Sequence, residues 1–103
     1  MNKETAICRV KQYAAVVRRD FPVKKVIMYG SHARGKARED SDIDVAIVVP
    51  RVEGDLLLLE AKLFKLRRAI EPLIVPVLLK DDNDPSGFLA EILGTGEVIY
   101  SCD

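Results

Sequence analysis

Ile7, Val10, Ala14 and Val17 recur at three- and four-residue steps, and Phe21 continues the stripe. This pattern predicts an amphipathic helix from about residue 3 to residue 20, ended before Pro22. Lys24 to Tyr29 is nearly continuous in apolar residues and predicts a strand covered on both faces. Ser31 to Arg38, rich in small and basic residues, is expected to open with a short helix. A second strand follows at Ile43 to Val49, closed by Pro50. Gly54-Asp55 opens a second long helix with Leu59, Leu63, Leu66 and Ile70 as its stripe; Lys62, Lys65 and Arg67 lie mainly off it. Pro72 ends that helix, and Leu73 to Leu79 predicts a third strand whose Pro76 favours a sheet edge or a bulge. Asp81 to Asp84 reads as a polar turn, Pro85-Ser86-Gly87 opens a short helix through Leu93, and Gly94-Thr95-Gly96 ends it. Val98 to Tyr100 predicts a last short strand or an extended tail, and Ser101 to Asp103 is expected to fray. This order of elements defines an α/β fold around a small sheet.

Composition narrows the partners. With 103 residues the chain fills one core, so residues 1–103 are expected to form a single domain. Sixteen basic and sixteen acidic side chains balance, so no overall field attracts nucleic acid or a membrane surface, and only a local basic face is left open. Nucleic acid is therefore not expected as a direct partner. The longest apolar run, Leu73 to Leu79, is strand-sized, and no membrane partner is expected. Cys8 and Cys102 lack metal-ligand spacing and read as incidental thiols in a reducing, cytoplasmic setting.

The chemistry concentrates between the first two strands, where Gly30-Ser31 is followed, ten residues on, by Asp42-Ile43-Asp44. Residues two apart on a strand share a face, so Asp42 and Asp44 project the same way. Two carboxylates held together repel unless a cation lies between them, and oxygen ligands with phosphate partners suit Mg²⁺ or Mn²⁺. Gly30 lets the backbone approach a phosphate without a Cβ in the way. Ser31 can donate its hydroxyl, and the amides opening the following helix add a positive end. Arg34, Lys36 and Arg38 are close enough in sequence to neutralise phosphate oxygens. An isolated Asp-x-Asp is common at solvated turns; the joint arrangement of strand, Gly-Ser turn, basic loop, Ser-Asp-x-Asp and strand carries the reading. His32 is expected to be a solvated loop residue, and Tyr29 to pack in the core or shield the site's edge.

Gly30-Ser31-x10-Asp42-x-Asp44, with Ala33-Arg34-Gly35 and Ser41 inside it, resembles the signature of the DNA polymerase β-like nucleotidyltransferase superfamily. More narrowly, the chain is similar to the minimal nucleotidyltransferases, antitoxins of the HEPN/MNT type. The resemblance implies a nucleotidyltransferase fold, α/β, with a small mixed β-sheet and helices packed mainly on one face. It also implies Mg²⁺-dependent transfer of a nucleoside monophosphate, AMP from ATP, with release of pyrophosphate. The acceptor it implies is a hydroxyl on a HEPN-like helical protein, with this chain as antitoxin. Carried over residue by residue, Gly30 and Ser31 match the phosphate-holding turn, and Asp42 and Asp44 match the two metal ligands and catalytic carboxylates.

One departure stands out. Active relatives place a third carboxylate on the strand after the second long helix, whereas that strand reads Leu73-Ile-Val-Pro-Val-Leu-Leu79 here. The slot falls at Val75. Glu71 is the first candidate to reach back into it, then Asp81 or Asp82, or an acid from a partner or substrate.

Two other function classes compete. One is a degenerate, non-catalytic antitoxin that binds nucleotide or partner and neutralises by occlusion, favoured by Val75. The other is a metal-dependent glycosyl transferase or phosphohydrolase, opposed by the Gly-Ser spacing and by the lack of tryptophan in a chain with three tyrosines and three phenylalanines. Leu56 to Leu59 cannot all point inward, so part of that run is expected to be exposed; it suggests an interface with a second copy or a partner helix, and an internal helix beginning beneath a loop explains it equally well. Lys62, Lys65, Arg67 and Arg68 read first as a solvated face of the same helix, with a basic face for RNA or an acidic partner as the alternative.

Overall fold

The computed structural model describes residues 1–82 and 84–102. Asn83, within the predicted polar turn, and Asp103, at the expected frayed end, lie outside the described residues. The chain runs α1 (Lys3–Val17), β1 (Lys25–Tyr29), β2 (Ile43–Val49), α2 (Leu56–Leu66), β3 (Ile74–Lys80), α3 (Phe88–Thr95) and β4 (Glu97–Ser101). A single 3₁₀ turn, Arg67–Ala69, extends α2.

The strands form one mixed sheet in the order β3-β2-β1-β4. β1 pairs antiparallel with β2 and β4, and β2 pairs parallel with β3. Pro76 therefore sits on an edge strand, as its missing N–H requires. Strand alternation sorts the core into two layers. Val26, Met28, Ile43, Val45 and Ile47 pack against α1 and α2, whereas Ile27, Ala46 and Val48 pack against Leu89 and Ile92 of α3. The two long helices thus share one face, and the short α3 covers the other. Because β1 is covered on both sides, Val26, Ile27 and Met28 are all fully buried.

Local chemistry sets the helix ends. Asn2 caps α1 by accepting from the Thr5 N–H at 2.8 Å, and Asp55 caps α2 by accepting from Leu57 N–H at 2.9 Å. The Asp84 carboxylate accepts from the N–H groups of Leu89 and Ala90, both at 2.9 Å. Pro85-Ser86-Gly87 consequently forms the turn before α3 rather than its first residues, and the helix runs on to Thr95.

The stripe of α1 continues to the buried Phe21, but the helix stops at Val17. Arg19 and Asp20 donate to Val16 and Val17 in i→i−3 fashion and Phe21 N–H donates to the Val17 carbonyl at 3.0 Å, so a hydrogen-bonded turn past the end of α1 carries Phe21 onto the core. Tyr13, fully buried, locks α1 to α2 by donating its hydroxyl to the Leu63 carbonyl at 2.7 Å. Burial pushes the Tyr13 phenol well above its ordinary range, with the nearby Arg67 guanidinium opposing. Among the described residues, no helix is long and apolar enough to cross a membrane. Cys8 and Cys102 are exposed free thiols.

Candidate active site at the hairpin between the first two strands

The antiparallel pairing of β1 with β2 ends at Tyr29 opposite Asp44. Everything that the sequence singled out therefore hangs from one hairpin. Gly30 follows Tyr29 with φ +75, and a Cβ there would overlap the Asp44 Oδ2 and lie 3.2 Å from its Cγ. Both the left-handed backbone and the space demand glycine. The phosphate-sized turn and the second aspartate are in direct contact.

Ile43 and Val45 enter the layer beneath α1 and α2, so Asp44 between them projects with Ala46 and Val48 to the α3 side. Asp42 is exposed and Asp44 partly buried. Burial raises the Asp44 carboxyl above its ordinary range and the charge of Asp42 raises it further, while His32 and Arg34 oppose. The carboxylates are close enough to disfavour joint ionisation, and Arg34 is close enough to relieve it. Tyr29 half-covers the edge, its ring set edge-to-face against Phe88 at 5.4 Å between centroids. Its phenol is likewise raised by burial and then by Asp44.

The loop from Ser31 to Arg38 is not the short helix that its composition suggests. Arg34 N–H donates to the Gly30 carbonyl at 3.1 Å and Lys36 N–H to the Ser31 carbonyl at 2.9 Å, but Gly35 at φ +70 turns the chain away. A compact turn thus replaces the expected helix N-terminus, and these two amides are spent within it. Ser31 is half-buried beside Gly30; Arg34 and Lys36 stand exposed on the loop.

His32 is the residue that sequence reasoning misjudged. It is 1% exposed, not solvated, and its Nε2 lies 3.2 Å from the Ser41 carbonyl. The ring ties the limb that carries Gly30 and Ser31 to the limb that carries Asp42. Nε2 donates there, and Nδ1 is buried without a hydrogen-bond partner among the described residues. The signal available in the sequence was weak: a lone histidine between a Gly-Ser turn and an alanine.

The register of β2 with β3 sets Val75 directly opposite Asp44, and parallel partners share a face. No acid occupies the neighbouring position. Glu71 is turned to the other layer: its carboxylate accepts from Leu73 N–H at 3.1 Å and lies 3.8 Å from Arg9 Nε on α1. Asp81 is at the far end of β3, paired with Lys24 at 2.7 Å, and the adjacent Asp82 is exposed. None of the three stands in for the missing carboxylate. Among the described residues, no group of three histidine, cysteine or acidic side chains converges as metal ligands. Two carboxylates beside a Cβ-free turn fit a hard divalent cation that keeps most of its waters and takes phosphate oxygens for the rest.

The family model for the nucleotidyltransferase domain matches residues 10–91, and the chain belongs to that family. A provisionally named protein adenylyltransferase of Methanocaldococcus jannaschii is 42% identical over 50 residues, a stretch spanning 47% of each protein. The match thus spans about half the length of that curated relative. A provisionally assigned nucleotidyltransferase from Sulfolobus solfataricus superposes with a TM-score of 0.71 at 19% identity, covering 97% of this chain and 84% of the other. A chain from the complex of tri-AMPylated Shewanella oneidensis HEPN toxin with MNT antitoxin gives 0.64 at 14% identity, covering 93% and 72%. At these identities the solved structures establish the fold, a nucleotidyltransferase α/β fold.

Proposed function

We propose that this chain is a minimal, single-domain nucleotidyltransferase that binds a nucleoside triphosphate with Mg²⁺ or Mn²⁺ at the β1–β2 hairpin. It transfers AMP from ATP to a hydroxyl of a protein partner and serves as the antitoxin of a toxin–antitoxin pair. The observation that carries the reading is the contact of Gly30, at positive φ, with the carboxylate of Asp44. Family membership supports the reaction class, and the names of the relatives, one an adenylyltransferase and another a complex with an AMPylated HEPN toxin, support the nucleotide and the helical partner.

Asp42 and Asp44 would hold the divalent ion, which when bound supplies charge neutralisation along the triphosphate. Gly30 and Ser31 seat the terminal phosphates, with Arg34 and Lys36 adding positive charge from the loop. The acceptor hydroxyl oxygen attacks the α-phosphorus, the α–β anhydride bond breaks and pyrophosphate leaves. With Val75 opposite Asp44, this chain places no third carboxylate there to take the hydroxyl proton, which passes to solvent or to an acid of the partner.

That same register favours a second reading, in which the domain binds nucleotide or partner without turnover. Calorimetric titration with Mg²⁺-ATP, on the native chain and on Asp42→Asn/Asp44→Asn, separates the cases. Binding that the double variant loses supports the nucleotide site; label transfer from α-labelled ATP to a partner then establishes turnover. A folded native chain that does not bind Mg²⁺-ATP would sink the nucleotide-dependent reading.

A further inference from the structure

On the sheet face opposite Asp44, a groove of about 640 Å³ runs between α1 and α2. Val16, Leu58, Ala61, Leu66 and Ala69 give it an apolar floor. With the lysine stems counted, the lining residues of α2 and its 3₁₀ extension recur at three- and four-residue steps from Leu58 to Ala69, over about 17 Å. Leu58 is 70% exposed and its neighbour Leu57 is 77% exposed, although only Leu63 of α2 is fully buried. The helix is therefore apolar on two sides and uses one of them for its own core. The small Ala61 and Ala69 let a second backbone approach closely, as ridge-into-groove helix packing requires.

The walls define the charge of the occupant. Lys62, Lys65 and Arg68 line the groove. Residues 56–69 carry four basic side chains against the single acid Glu60, in a chain whose total charge is zero. Among the described residues, Lys62 lies 3.8 Å from Asp20 and over the Phe21 ring at 5.9 Å, and neither Lys65 nor Arg68 has a carboxylate in ion-pair range. A two-fold contact between copies would set this basic rim against its own image, which like-charge repulsion penalises. An apolar floor with leucines suits a side-chain stripe better than a phosphate backbone.

We propose that the α1–α2 groove docks an amphipathic helix of a partner protein, with an apolar stripe on the floor and Asp or Glu residues against Lys62, Lys65 and Arg68. It rests on the proposed function only for the existence of a protein partner; the groove lies apart from the hairpin, and its test contains no nucleotide. Failure here leaves Mg²⁺-ATP binding untouched, and the reverse holds.

The probe is a fluorescent model helix about four turns long, with a leucine stripe flanked by glutamates, titrated with the native chain. Its twin carries lysines instead of the glutamates. The acidic peptide binds, the lysine twin binds at least about tenfold more weakly, and added salt narrows the difference. Leu58→Glu, at an exposed position that leaves the fold intact by circular dichroism, weakens the acidic peptide by about tenfold or more. Lys65→Glu/Arg68→Glu reverses the preference between the peptides. Equal binding of both peptides, binding of neither, or indifference to Leu58→Glu overturns the proposal. So does sedimentation showing a self-associated native chain that Leu58→Glu disperses, which would make the occupant a second copy. Single-stranded RNA that binds through the same cations regardless of Leu58 would overturn it in favour of nucleic acid.

Discussion

Asp44 on β2 and Val75 on β3 are direct partners in the parallel pair, so an isopropyl group stands beside the partly buried carboxylate. Val75→Glu would put a third carboxylate on the same face. Without divalent ion, its repulsion with Asp44 and Asp42 should destabilise the fold by about 1 kcal/mol or more, lowering Tm by roughly 4–8 °C. Mg²⁺ should recover that loss in the variant and change the native chain less. Thermal melts with EDTA and with Mg²⁺ read both effects; a variant insensitive to Mg²⁺ would show that Val75 does not face the ion site.

Gly30 and Gly35 allow strain to be separated from crowding. Both have positive φ, but a Cβ at Gly35 meets open space whereas one at Gly30 collides with Asp44. Gly35→Ala should cost about 1–2 kcal/mol of left-handed strain and leave Mg²⁺-ATP affinity within about threefold. Gly30→Ala should add displacement of the Asp44 carboxylate and reduce affinity by at least about tenfold. Chemical denaturation and calorimetry on the pair provide the comparison.

His32 holds the two limbs of the loop together. His32→Ala removes the ring, leaves the Ser41 carbonyl unpaired and opens a void, which should cost about 2–3 kcal/mol in urea denaturation. His32→Gln keeps a donor at the right reach and should recover part of that loss. Mg²⁺-ATP affinity should follow the same order, because the tie fixes Gly30 relative to Asp42. Affinity unchanged in His32→Ala would reduce the histidine to core packing.

The alkaline limb of stability should carry the signature of Tyr13. Its phenol is raised above the ordinary 10.0 by burial, so from about pH 10 an unfolded chain loses this proton while the folded chain keeps it. The folded state then binds more protons, and stability falls as pH rises. Tyr13→Phe should cost about 1 kcal/mol at neutral pH through the lost bond to Leu63. Its deficit should shrink above pH 10, with Tyr29 leaving a residual slope. Denaturant midpoints against pH test this, and parallel curves for the two proteins would contradict it.

Much of the architecture was written in periodicity and punctuation. Alternation gave β2 its two faces, Pro50 and Pro72 marked boundaries, and Pro76 foretold an edge strand. The leucine run at the start of α2 foretold its exposed side. What failed depended on tertiary context. The stripe to Phe21 looks helical whether its last residues continue the helix or form a turn beyond it. The Ser31–Arg38 composition suits a helix until Gly35 takes a positive φ. His32 is buried by two loop limbs that only the hairpin brings together. The alignment of Val75 with Asp44 follows from a register between strands separated by a whole helix, and the sequence resemblance alone had pointed to it.

Asp42 and Asp44 differ in what they cost the fold, and that difference separates binding from stability. Asp44 is partly buried and repelled by Asp42, so its ionised form opposes folding when no cation is present. Asp44→Asn removes that charge and should stabilise the chain in EDTA by about 0.5–2 kcal/mol. Asp42 is exposed, and Asp42→Asn should change stability by no more than about 0.5 kcal/mol. Both variants should lose Mg²⁺-ATP affinity by at least about tenfold, since each removes one of the two proposed ligands. Melting in EDTA with calorimetry in Mg²⁺ separates the two readouts. An Asp44→Asn protein less stable than the native chain in EDTA would mean that Asp44 is a structural hydrogen-bonding group and not a charge held in reserve for a cation.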